Sequence, residues 1–277
     1  MAPDGENFRG INAVRIFERK TNISLDDLIA AGYDTYLPAF EVLIPALVRN
    51  FEKHVPAGNV LHNEIAEAVS ILKEWDYRSA ENSIATTLAI EWGERLNPAV
   101  LKVYIDEGEK DQVEATKFFA EHAAPEDFFL PMRYVVKNLT EKFGTWKVKW
   151  GEINRYQRLT GKIPETYDDN QPSLPVGFAN STWGSLPSFS SRTIKGTKKR
   201  YGTGGNSFIC AVEFGTRIKA KSLLAGGVSN SPSSPHFNDQ AEMYTKGKFK
   251  DVLFYKEDVQ NNAKATYHPG LQKQIVK

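Results

Sequence analysis

A single cysteine, Cys210, occurs among the 277 residues, which excludes an intramolecular disulfide. It sits in the apolar run Phe208-Ile209-Cys210-Ala211-Val212, where an inert core thiol is the expectation. No stretch is long and apolar enough to span a bilayer, and Met1-Ala-Pro-Asp-Gly-Glu-Asn7 has no basic segment leading into an apolar one. Charge of one sign is missing too. The formal net charge is +1, which gives no electrostatic case for nucleic acid or an anionic surface. The one basic run, Lys195, Lys198, Lys199 and Arg200, lies among Gly and Thr and reads as a solvated loop. Catalytic patterns are equally scarce. There is no HExxH, no cysteine pair at metal-ligand spacing and no GxSxG. The Gly-rich stretch Tyr201–Gly205 precedes a strand, whereas phosphate cradles follow one, so it reads as a turn-forming loop.

What is present is a soluble-protein composition, 41% hydrophobic and 25% charged, with two different periodicities. The first part is helical. Ser24 with Asp27 three residues later predicts a capped helix start, and Pro38 opens a second helix through Phe40, Leu43, Ile44 and Leu47. Apolar stripes predict further helices over 61–75, 83–96 and 110–123, and Pro125 with Glu126 and Asp127 opens another to about 143. Residues 206–214 and 218–225 read as strands joined at Gly215-Thr216-Arg217. A short helix from Asp239, a strand over Val252–Tyr255 and a last helix over Glu257–Ala265 complete the chain. The fold class is thus α+β in three parts. These are a helical region over 1–160, a long connecting loop over 161–205, and a hairpin with helices over 206–277. The near-continuous apolar run at 208–214 predicts a strand buried on both faces, and two strands do not make a self-sufficient sheet. The pattern therefore reads as part of a larger body.

Most side chains with chemistry have plainer roles. The acidic pairs Asp26-Asp27, Glu126-Asp127 and Asp168-Asp169 stand at helix starts or in polar stretches, where capping or exposure explains them. His236, Asp239 and Glu242 have ligand-like spacing, but no other histidine lies nearby in sequence, so no metal is expected.

The end of the chain carries a resemblance. Residues 205–244 contain a hairpin, Gly226-Gly227, and then Ser234-Pro235-His236-Phe237-x-Asp239-Gln240. With Gly247–Phe254, Glu257-Asp258-Val259, Trp150-Gly-Glu-Ile-Asn-Arg155 and residues 3–18, this resembles the penicillin acylase family over nearly the whole chain. The resemblance implies the C-terminal part of the β-subunit of an N-terminal-nucleophile amidohydrolase with an αββα sandwich. Such enzymes expose a Ser, Thr or Cys at the β-subunit N-terminus by self-cleavage, and its own α-amine serves as base. An asparagine and backbone N–H groups hold the oxyanion. Relative to that pattern, the nucleophile and oxyanion asparagine precede the start of this chain. The chain alone is then expected to be inactive and to need its partner polypeptide, the α-subunit and the N-terminal part of the β-subunit. Asn7 and Asn12 lie too close to the following motif to be that asparagine.

Two supporting roles carry over by resemblance. Arg15 matches the arginine that supports the asparagine and polarises the substrate side of the pocket; a surface ion pair is the plainer account. Glu213 matches an acidic strand position that, in the cephalosporin-acylase branch, orients a histidine near the nucleophile; a solvent-facing strand Glu is the plainer account. The expected substrate is a small acylated amine, whether β-lactam, acyl-homoserine lactone or peptide-like, with no cofactor, no nucleic acid and no membrane span. The compartment implied is periplasmic or secreted. The competing expectation is a non-catalytic scaffold or binding module derived from the family.

Overall fold

The computed structural model describes residues 5–106, 111–163, 165–268, 270 and 274–275. Residues 1–4, which include the start of the 3–18 motif, lie outside them. The chain begins with α1 (Phe8–Phe17), α2 (Leu25–Gly32), α3 (Ala39–His54), α4 (Val60–Lys73), α5 (Ile84–Asp106), α6 (Gln112–His122) and α7 (Pro125–Phe143). Their starts follow the local signals. The Ser24 side chain accepts from Asp27 N while the Asp27 carboxylate accepts from Ser24 N, a reciprocal capping box. Asp111 caps α6 by accepting from Val113 N and Glu114 N, with no bond returned by Glu114 among the described residues. α7 ends at Gly144 in the left-handed conformation (φ 79°), which suits a residue without a Cβ.

The apolar faces of α3 to α7 meet in one large core. Phe40, Leu43, Leu47, Ile65, Leu72, Leu88, Trp92, Phe128 and Met132 are fully or almost fully buried there. Removal of that much apolar surface from water is the main source of stability for this half.

The second half runs through α8 (Trp150–Ile153), β1 (Asn154–Tyr156), β2 (Leu174–Pro175), a 3-10 turn at Ser181–Trp183, β3 (Phe189–Thr193), β4 (Arg200–Gly205), β5 (Phe208–Glu213), β6 (Lys219–Leu224), α9 (Ala241–Lys246), β7 (Lys250–Asp251), α10 (Lys256–Asn262), β8 (Ala265–Thr266) and β9 (Gln274–Ile275). One sheet has the order β2-β1-β4-β3, with β1 parallel to β4 and the other pairs antiparallel. A second has the order β5-β6-β7, all antiparallel, and β8 pairs with β9. Val176, Phe178, Phe189, Leu223 and Tyr244 form a smaller core between these layers.

Five sequence expectations change here. Residues 161–205, expected as a loop, supply β2, β3 and β4, and their Val176, Phe178, Trp183, Phe189 and Tyr201 are core residues. The Gly-rich stretch Tyr201–Gly205 is accordingly part of a strand, with a register shift opposite Ser190/Ser191. Arg200 is buried, unlike the solvated run it belongs to in sequence. β5 is covered on one face only. Ala211 is buried and Ile209 packs against the smaller core, while Phe208 is 59% exposed and Cys210 is exposed as well. The strand expected over Val252–Tyr255 lies earlier, at Lys250–Asp251. Val252 N donates to Ala220 O at the end of that ladder, and the chain then leaves the sheet.

Candidate functional site

Arg15 sits in the last turn of α1, half exposed, with Nη1 2.8 Å from Glu41 Oε2 on the first turn of α3. The other Glu41 oxygen, Oε1, accepts a short hydrogen bond from the Tyr36 hydroxyl. Burial, and then the bond to Glu41, hold the Tyr36 phenol well above its ordinary value, so it keeps its proton and donates at neutral pH. The Tyr36 ring has the Tyr77 ring edge-on at 6.3 Å, and the Arg78 guanidinium lies 5.3 Å from its centroid.

Neighbouring α1 side chains fix that helix in place. Asn12 is buried, and its Nδ2 lies 3.0 Å from Asp34 Oδ1, 3.2 Å from Tyr36 O and 3.0 Å from Gly184 O. Arg9 donates from Nε and Nη2 to Leu186 O at 3.2 and 2.7 Å. Asn7 caps the helix by accepting from Gly10 N. Both asparagines set aside as oxyanion donors thus have structural partners.

Asp34 joins this network to the next element. Oδ2 accepts from Arg78 Nη1 at 2.8 Å, and Oδ1 accepts from Tyr36 N and Asn12. Burial works to raise this carboxyl, but the Arg78 and Asn12 side chains and the Tyr36 N–H prevail and hold it below its ordinary value of 3.8. A carboxyl depressed in the folded state contributes stability above the ordinary value, and that contribution is lost as pH falls through the lower folded value. Urea unfolding should therefore show wild-type stability falling below about pH 4 more steeply than in Asp34→Asn, which has no such titration. Parallel curves for the two proteins over that range would refute the role given to Asp34.

Glu213 is elsewhere. It ends β5, and Oε1 lies 2.9 Å from Nζ of Lys219, its direct cross-strand neighbour on β6. Both are substantially exposed, so this pair contributes little to stability. No hydrogen bond or ion pair links Glu213 to Arg15 among the described residues, and each has its own local partner. A cavity of about 470 Å³ lies between α1 and the start of β5, lined by Arg9, Gly10, Ala13, Leu186, Pro187 and Ile209. Neither Arg15 nor Glu213 is part of its wall.

The Ser-Pro-His-Phe stretch is a folded scaffold. Arg158 donates to Phe237 O (2.6 Å) and Ser229 O (3.0 Å) and lies over the Phe237 ring, clasping the loop. His236 Nδ1 and Asp239 Oδ2 are 2.8 Å apart, both largely exposed. The side chain of Asp239 is thereby engaged with His236, and α9 has no side-chain cap. A Cβ on Gly227 would lie 2.1 Å from His236 O and 2.7 Å from Asp239 Oδ1, so only glycine fits this turn. Gly151, in the Trp150–Arg155 motif, is equally constrained, since its Cβ would meet Glu81 at 2.7 Å and Pro175 at 3.0 Å. Among the described residues no group of three or more His, Cys, Asp or Glu is placed to hold a metal.

Sequence reasoning missed the ion cluster in which buried Arg200 pairs with the mostly buried Glu91 and the more exposed Glu94, joining β4 to α5. The available signal was slight, Glu91 standing directly beside the apolar Trp92 on a helix. It also missed Asp169, which accepts from Lys198 N (2.6 Å) and the Tyr201 hydroxyl (2.8 Å) to pin the turn before β4.

The arrangement, then, is an α+β scaffold that presents an arginine and a structured terminal loop. Among the described residues no serine, threonine or cysteine side chain is hydrogen-bonded to a histidine ring. The penicillin amidase family profile matches residues 3–261, and the chain belongs to that family. A thermostable penicillin G acylase from Alcaligenes faecalis is similar over 99% of this chain and 56% of its own length, at 16% identity and a TM-score of 0.49. The chain spans about half the length of that protein. No helix among the described residues is long and apolar enough to cross a membrane.

Proposed function

We propose that this chain is the C-terminal part of the β-subunit of a penicillin-amidase-family amidohydrolase, and that it works only with a polypeptide carrying the nucleophile. The assembled enzyme cleaves the amide of a small acylated amine. The N-terminal hydroxyl or thiol, deprotonated by its own α-amine, attacks the carbonyl; the amine leaves, and water releases the acid from the acyl-enzyme. Arg15 supports the oxyanion asparagine and polarises the substrate side, and Glu213 orients a histidine brought by the partner polypeptide. Periplasmic or extracellular placement follows from the same reading.

The observation that carries this reading is the family match, which runs through both Arg15 and Glu213. Uncovered apolar surface supports it. Val14, beside Arg15, is 63% exposed and Phe214, beside Glu213, is 83% exposed, and one edge of β5 has no partner strand among the described residues. Exposed strand edges and apolar patches mark surfaces that another polypeptide covers.

The test is reconstitution. The purified chain, the polypeptide comprising the α-subunit and the N-terminal part of the β-subunit, and their mixture are each assayed against a panel of aryl and alkyl acyl-amides. Hydrolysis by the mixture alone is the expected result. Turnover by the bare chain, or an inert mixture, would overturn the reading.

A further inference from the structure

We propose that Glu41 and Tyr36 are positioning residues for Arg15, fixing its guanidinium through one nitrogen and leaving its other donors directed to the substrate side. This rests on the role given to Arg15 under the proposed function.

An exposed arginine–carboxylate pair is ordinarily loose, because two long side chains must both be held in one geometry. Here the carboxylate is not free to move. Glu41 is in the first turn of α3, a favourable end of the helix dipole for an acid, and its second oxygen is taken by the Tyr36 hydroxyl. Tyr36 itself is locked. Its main chain bridges Arg78, its ring is flanked by Tyr77 and Arg78, and its N–H and C=O are bonded to Asp34 and Asn12. Tyr77 adopts a positive φ of 60°, which is uncommon for an aromatic residue and marks a tightly determined turn at this point.

The guanidinium ends this chain of contacts. Only Nη1 is engaged, at 2.8 Å from Glu41. Nε–H and the Nη2 hydrogens make no hydrogen bond among the described residues, so a planar pair of donors stays available for a carbonyl or amide oxygen. The helix that carries it is fixed at both Arg9 and Asn12. A donor held in place before substrate arrives needs no reorganisation in the transition state, which is where it contributes to rate.

The experiment uses the reconstituted enzyme with Arg15→Ala, Glu41→Gln, Tyr36→Phe and the Arg15→Ala/Glu41→Gln double variant. kcat and KM are measured on one acyl-amide substrate, and thermal midpoints are measured on the same samples. Glu41→Gln is expected to lower kcat about 10- to 100-fold with little change in KM, the pattern of a misplaced transition-state contact. In the Arg15→Ala background the same change should cost nothing further, because Glu41 acts through Arg15. Tyr36→Phe should follow Glu41→Gln with a smaller loss. In the isolated chain, Glu41→Gln should also bring one tyrosine titration down towards its ordinary range. If Arg15→Ala leaves kcat and KM unchanged, the reading of Arg15 fails and takes this inference with it. If Arg15→Ala is damaging but Glu41→Gln is silent, or costs as much without Arg15 as with it, the inference alone is overturned. Should Glu41→Gln lose its thermal transition, the same criteria apply to Tyr36→Phe.

Discussion

Arg200→Met is expected to destabilise the chain by about 3–5 kcal/mol, towards the lower end, because it strands a carboxylate inside the protein. Arg200 projects from β4 with its side chain only 6% exposed. Nη1 donates to Glu91 Oε1 at 2.6 Å and Glu94 Oε2 at 2.9 Å, while Nη2 bonds Glu94 Oε1 and, at 2.7 Å, Ser191 O. The guanidinium also lies 5.6 Å from the Trp150 ring centroid. Burial alone would disfavour its charge, but the two glutamates prevail and hold the guanidinium above its ordinary value. Removing the arginine leaves Glu91, itself mostly buried, without its cation. Glu94 is more exposed and can turn to water, hence the lower end of the range. Arg200→Lys should recover only part of the loss, since an ammonium cannot reproduce the planar fork to two carboxylates and a carbonyl. Pairing Arg200→Met with Glu91→Leu should recover more, because the penalty lies in the unpaired charge. Urea unfolding measures all three, and a loss below about 1 kcal/mol for Arg200→Met would contradict the burial assigned to the cluster.

Trp92→Ala should cost about 3–5 kcal/mol, the range for emptying a large aromatic site in a well-packed core. Trp92 is fully buried on α5, near the Phe128 ring of α7 at 6.5 Å between centroids. Its indole N–H donates to Phe128 O at 3.0 Å, so a polar atom and a large apolar surface are lost together. Trp92→Phe separates the two, since it keeps most of the packing and removes the donor, and should cost nearer 1–3 kcal/mol. The denaturant midpoint should fall in both variants with the slope of the transition unchanged, as expected when the same surface is exposed on unfolding. Equal midpoints for Trp92→Ala and wild type would refute the core placement.

The helical half was legible because its determinants are local. Ser24 and Asp27 cap within one turn, Pro38 and Pro125 stand at helix starts, and the stripes through Leu43–Leu47 and Ile65–Leu72 repeat at helical spacing. The sheet half was not, because β3 and β4 are Phe-Ser-Ser-Arg-Thr and Arg-Tyr-Gly-Thr-Gly-Gly, strands made by their neighbours and not by alternation. Glycine and serine there read as loop residues until pairing across more than 40 residues, Asn154 with Arg200, is known. The basic run misled for a similar reason, since the partners that bury Arg200 lie over 100 residues upstream. The fate of Arg15 had the same character on a smaller scale. Its residue type was visible, but Glu41 and Tyr36 are set by a fold that joins α1 to α3. Glu213 was readable as a strand residue, and the β5–β6 register sets Lys219 opposite it.

The fastening of α1 to the second half divides the molecule differently from its sequence. Arg9 and Asn12 hold on to the carbonyls of Leu186 and Gly184, some 170 residues further along. A ribosome making this chain releases the first helix long before its anchor exists. Asn12 also reaches Asp34 and Tyr36, and Arg15 reaches Glu41, so α1 has early partners in the helical half and gains its last ones only when residues 184–186 arrive.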